Sequence, residues 1–101
     1  MKLILTRRAI TDLERLHAFN ADKNPAAAAR INDEVVGALE SLLEFPLRYP
    51  AVDPEGSPQV RRMAIDAGMG YVAVFRVILN VAGEPATVRI LAIRSAREVG
   101  F

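Results

Sequence analysis

At 101 residues, 51% apolar and 25% charged, the chain is sized and composed for one folded domain, neither two domains nor a disordered segment. The absence of cysteine and the single histidine, His17, exclude disulfides and thiolate chemistry, leave no metal-ligand spacing, and favour a reducing cytoplasm. The net charge of +1 divides into −2 over residues 1–57 and +3 over residues 58–101, which allows an anionic partner for the second half but falls far short of a dedicated nucleic-acid binder.

The opening MKLILTRR sets its apolar run ahead of its basic pair and is too short for a signal peptide or a membrane span. It reads as a first strand. Thr6 is placed to cap a helix running to about Ala21, in which Ala9, Ile10, Leu13, Leu16 and Phe19 recur at three- to four-residue spacing and define one buried face. Thr11 with Glu14 imitates a capping box, but a helix starting there would forfeit Ala9 and Ile10, so both are read as exposed polar residues. Arg7, Arg8 and Arg15 share this helix with Asp12 and Glu14 and are expected on a solvated, salt-bridged face. His17 reads as a helix-surface or hairpin-packing residue, because no acid or nucleophile accompanies it.

Asn24 and Pro25 open a second helix, Asn24 as its cap and Pro25 at the first helical position, where a missing N–H costs nothing. Ala28, Ile31, Val35, Leu39 and Leu42 form its apolar stripe, and it is expected to end near Phe45 and Pro46. The short connection, about three residues, predicts an antiparallel helical hairpin. Residues 46–58 hold four of the six prolines together with Gly56, and read as an anchored loop with Leu47, Tyr49 and Val52 docked.

Val60–Ile65, Tyr71–Leu79 and Ala86–Arg94 read as three strands joined by the turn-forming segments 66–70 and 80–85, which predicts an antiparallel meander to whose edge the first strand can add. The Gly68/Gly70 pair is a turn and lacks the helix that a phosphate-binding loop requires. From Gln59 onward there are six arginines and no lysine: Arg61, Arg62, Arg76, Arg89, Arg94 and Arg97. A sheet with one solvated face alternates apolar and polar residues, yet Tyr71–Leu79 is broken only by Arg76 and Ile90–Ile93 not at all. The hairpin can cover one face. The other is expected to need a partner protein or a second copy, or else the proline-rich loop folded over it.

Taken in order, LTRRAITDLERL, NPAAAARI, LLEFPLRYP, VRRM, GYVAVFRV and ILAIRSARE resemble the RelE/ParE superfamily of toxins from type II toxin–antitoxin systems, over nearly the whole chain. The last segment is most similar to the ParE branch, whose final strand ends in a short basic turn with an arginine at the place of Arg97. The resemblance implies a single α+β toxin domain over residues 1–101, with an N-terminal strand and an antiparallel helical hairpin packed on an antiparallel β-sheet. It also implies a cytoplasmic protein neutralised by a cognate antitoxin whose C-terminal segment wraps around it, and, for the ParE branch, DNA gyrase as the poisoned target. RelE members instead cut messenger RNA in the ribosomal A site.

Such cleavage needs a base for the 2′-hydroxyl, cations for the phosphate and an acid for the leaving oxygen. RelE-type enzymes assemble these from lysines and arginines on the sheet and a C-terminal tyrosine. Here Val72 follows Gly70 and Tyr71 where those enzymes carry an arginine, Phe101 has no hydroxyl, and arginine does not serve as a base. The expected action is binding without catalysis, with no cofactor, no metal, no membrane association and no direct nucleic-acid contact. A RelE-like ribonuclease with a rearranged site, and an inert member that binds only its antitoxin, are the alternatives. Arg61, Arg62, Arg94 and Arg97, towards the strand ends, are the first candidates for contacting target or antitoxin. Arg76 and Arg89, on neighbouring strands, are expected to pair with acidic helix residues or with antitoxin carboxylates. Tyr71 is a further contact candidate, read first as a cross-strand packing residue.

Overall fold

The computed structural model describes residues 1–96; Arg97 and Phe101 lie outside the described residues. Strand β1 (Lys2–Leu5) leads into helix α1 (Arg7–Lys23), which Thr6 caps as expected, its Oγ1 accepting a hydrogen bond from the Ala9 N–H at 3.2 Å. Helix α2 (Pro25–Ser41) follows after one residue. That residue, Asn24, serves both helices. Its N–H donates to the Asn20 carbonyl at 2.9 Å and ends α1, while its Oδ1 accepts from the Ala27 N–H at 3.2 Å and starts α2.

Helix α2 buries Ala28, Ile31, Val35 and Leu39, and Leu42 just beyond it is buried too. It stops short of the expected Phe45. The chain turns through Leu42–Glu44, and Phe45 takes a left-handed backbone conformation (φ 51°); a right-handed helix is disfavoured at the residue before Pro46, so it cannot run on through Phe45. Helix α1 departs further from its expected face. Ala9, Leu13 and Leu16 pack on the core, but Ile10 and Phe19 are each 48% exposed. At 100° per residue these two fall on opposite shoulders of a stripe running through Ala9, Asp12, Leu13, Leu16 and Asn20. Asp12 takes a buried place on that stripe.

The sheet has five strands in the order β1-β5-β4-β3-β2, with β2 at Ala51–Asp53, β3 at Ser57–Ile65, β4 at Tyr71–Leu79 and β5 at Pro85–Ser95. The three-strand meander is present. The 46–58 stretch is more ordered than a loop, since it contributes a 3-10 turn (Pro46–Arg48), the edge strand β2 and the start of β3. Strand β1 lies parallel to β5, from Lys2 opposite Thr87 to Leu5 opposite Ile90, so the sheet is mixed. A parallel neighbour needs a crossover, and here the helical hairpin and the meander together provide it.

The pleat resolves most of the unbroken apolar run in β4. Tyr71, Ala73, Phe75 and Val77 face the helices and join the core with Met63, Ile65, Val88, Ile90, Ile93 and the buried residues of α2, whereas Val72, Val74, Arg76 and Ile78 face outward. In β5 the explanation is a bulge: Val74 is opposite Ala92 and Phe75 opposite Ile90, leaving Leu91 as the extra residue. Ile90 and Ile93, three apart, can therefore both point inward. Helix α1 clamps this bulge from both sides. Thr6 Oγ1 donates to the Ile90 carbonyl at 2.8 Å, and Asp12 Oδ2 accepts from the Ile93 N–H at 2.9 Å.

Candidate interaction site

Successive residues of a strand alternate between faces, so Arg61 and Arg62 cannot do the same work. Arg62 stands on the outer face of the sheet, opposite Val74. Arg61 does not. Its Nε donates to the Pro58 carbonyl at 2.9 Å and its Nη1 to the carbonyls of Leu47 (3.1 Å) and Tyr49 (2.8 Å), so it fastens the 46–50 turn against β3. Tyr49 in turn sets its ring edge-on to Phe75, with centroids 6.1 Å apart, closing that end of the core. Tyr71 is also interior: it is 2% exposed, and its hydroxyl accepts from Asn20 Nδ2 at 2.9 Å, so it packs on the helix side of the sheet and not on the outer face.

The other candidates among the described residues converge. Arg76, Arg89 and Arg94 share the outer face with Arg62, and Lys2 on β1 joins them. Arg76 and Arg89 are direct cross-strand partners. The expectation that they pair with acidic helix residues is not realised. The helix acids with ion pairs have them on their own helix, Asp12 with Arg8 (3.8 Å) and Arg15 (2.9 Å) and Glu34 with Arg30 (3.7 Å). Arg76 and Arg89 have no hydrogen-bond or ion-pair partner among the described residues. Between these cations the face is floored by Val60, Val74 and Ile78, all half-buried, and by Ala92 and Val72, both buried. A hollow of about 520 Å³ lies at its β3 end, lined by Tyr49, Pro50, Arg62, Ala64 and Val72.

A second concavity, of about 230 Å³, opens on the helix side between α1 and the β4–β5 end and is lined by Arg15, Leu16, Phe19, Met69, Tyr71, Ile93 and Ser95. The sequence reading assigned the uncovered apolar surface to the outer sheet face alone. Part of it is here, in the exposed side chains of Phe19 and Met69. Met69, an isolated large apolar residue between two turn glycines, was the readable sign. His17 is exposed on α1 beside Leu13, Glu14 and Asn32, and no group of three metal-binding side chains occurs among the described residues. Among the described residues the outer-face positions of the three long strands and β1 carry cations, apolar groups and the Thr87 hydroxyl, a surface equipped to hold an anionic group.

A family model described as the ParE toxin of the type II toxin–antitoxin system, parDE, matches residues 3–100. The chain belongs to the ParE toxin family. Toxin RelE1 of Caulobacter vibrioides is 32% identical to this ParE-family toxin over 77 residues, 75% of this chain and 78% of the relative. Among solved structures, the chromosomal ParDE toxin–antitoxin system from P. aeruginosa matches with a TM-score of 0.72, covering 94% of this chain and 95% of that one. At 23% identity that likeness speaks for the shared α+β fold. Among the described residues of the toxin, no helix is long and apolar enough to cross a membrane.

Proposed function

We propose that this ParE-family toxin works by binding, without chemistry of its own. In the bacterial cytoplasm it arrests growth by seizing DNA gyrase, and a cognate antitoxin neutralises it by covering the same surface. The observation that carries this reading is the outer sheet face, where arginines flank an apolar floor with no base or acid among them. Val72 supports it, because an apolar, buried side chain occupies the place where RelE-type ribonucleases present an arginine to the scissile phosphate. Expression of the toxin alone should stop growth, and co-expression of its antitoxin should restore it. The purified toxin should inhibit gyrase supercoiling while leaving ribosome-bound message intact.

The name of the relative Toxin RelE1 favours a second reading, a ribosome-dependent endoribonuclease. Specific cleavage of message in the ribosomal A site, with gyrase unaffected, would establish it and sink the first. Growth unaffected by the toxin alone would leave only an inert, antitoxin-binding member of the family.

A further inference from the structure

The helix-side concavity follows from a mismatch in strand length. Strand β1 pairs with β5 only over Thr87–Ile90, whereas β4 accompanies β5 as far as Ser95. Residues 91–95 of β5 therefore have no strand on their β1 side among the described residues. The second half of α1 runs above this gap. His17 turns towards α2, beside Asn32, and at 100° per residue Arg15 and Phe19 fall on the opposite side of the helix, over the end of β5. The far wall is the 66–70 turn, whose Gly68 and Gly70 have positive φ (54° and 92°). Its Met69 is steadied by Ser95, whose hydroxyl donates to the sulfur at 3.6 Å. The space of about 230 Å³ so enclosed has an apolar lining in Leu16, Phe19, Met69 and Ile93. Arg15, the cation on its rim, is already held by Asp12 at 2.9 Å, so the space suits an apolar occupant better than an anion.

We propose that residues 97–101 of this same chain close the concavity, with Val99 and Phe101 seated against Leu16, Phe19, Met69 and Ile93. Position argues for it first. Ala96, the last described residue, donates its N–H to the Gly70 carbonyl at 3.0 Å, so the chain leaves β5 at the rim formed by Met69 and Ser95. Three further residues reach at most about 10 Å and five about 17 Å, enough to cross the opening. The residue types fit as well. Arg97 and Glu98 are charged and suit the rim, while Val99 and Phe101 are apolar and, with Gly100 between them, fall on one side of an extended run. A segment tethered at the rim also has an effective concentration that a diffusing partner lacks. Seating it takes two apolar side chains out of water together with the exposed parts of Phe19 and Met69. This contact goes beyond the proposed binding function: the chain covers its own helix-side apolar surface, and the outer sheet face is left for partners.

The chain has no tryptophan, so Phe101→Trp gives the purified toxin a single fluorescent indole on this segment. Acrylamide should quench it several-fold less in the native toxin than in urea, and dilution should not change that. Adding Phe19→Ser should return quenching most of the way to the urea value, with the far-UV circular dichroism of the fold retained. Adding Ile10→Ser, at an equally exposed position (48%) on the other shoulder of α1, should leave the indole protected. Without the tryptophan, Phe101→Ser should lower Tm by a few degrees, and by much less once Phe19→Ser is present, because the two side chains share one contact. An indole as open to acrylamide in the native toxin as in urea overturns the inference, and so does one that Phe19→Ser leaves protected. Protection that is lost on dilution assigns the concavity to a second copy, and protection that arises only when antitoxin is added assigns it to that partner; either result overturns closure by the chain itself. All of these readings come from the toxin's own fold, so they stand or fall apart from the proposed target.

Discussion

Asp12 shows how far a single side chain can depart from its local context. On the helix it stands three and four residues from arginines, and the surface ion-pair reading is right about those partners. Its exposure of 3%, however, belongs to a core residue. The buried oxygen accepts the N–H of Ile93, which lies on β5 beyond the four residues that β1 pairs. Asp12→Ala should therefore cost about 1–3 kcal/mol, the penalty for an unsatisfied buried donor, and lower Tm by roughly 4–8 °C per kcal/mol. Urea denaturation checks this, and an unchanged midpoint would show that the Ile93 N–H finds another acceptor. Nothing near Asp12 in sequence announces the contact, because its partner lies 81 residues away. The division of labour between Arg61 and Arg62, by contrast, was readable from strand alternation alone: one guanidinium is spent on three backbone carbonyls and the other faces outward.

At the scale of elements, both helices, the hairpin and the meander could be read from apolar spacing and from the Thr6 and Asn24-Pro25 signals. What escaped were features set by partners distant in the chain. The edge strand β2 is three residues long, too short for any periodicity, and exists because β3 offers it a ladder. The bulge at Leu91 hid within an apolar run that alternation could not parse, although the three-residue spacing of Ile90 and Ile93 was its trace. Asn24 is the element-scale hinge of the hairpin. Asn24→Ala keeps the backbone donor that ends α1 but loses the acceptor that starts α2, so it should destabilise the toxin by about 1 kcal/mol. Asn24→Ser, which restores a capping oxygen, should recover most of that loss in the same denaturation assay. Equal stability of the two variants would mean that Pro25 alone suffices to start the helix.

For the whole molecule, the sheet is layered in stability as well as in space. β4 and β5 hold Ala73, Phe75, Val77, Val88 and Ile90, all essentially inaccessible to solvent, while β1 and β2 are short edges. Hydrogen exchange should accordingly be slowest in β4 and β5 and fastest in β2, and a uniformly protected sheet would contradict that ordering. The candidate site was less legible at this scale than the fold. Its arginines were evident, but which of them share a face depends on register, and register depends on the bulge. One further consequence lies in the order in which the chain is made. β5 stands between β1 and β4, yet it is the last of the five strands to be synthesised. Until Pro85–Ser95 leaves the ribosome, β1 has no neighbour and Arg76 has no Arg89 across from it. A nascent chain that has not yet reached Pro85–Ser95 therefore presents neither the assembled sheet nor the paired cations, and the outer face is completed only once β5 is in place.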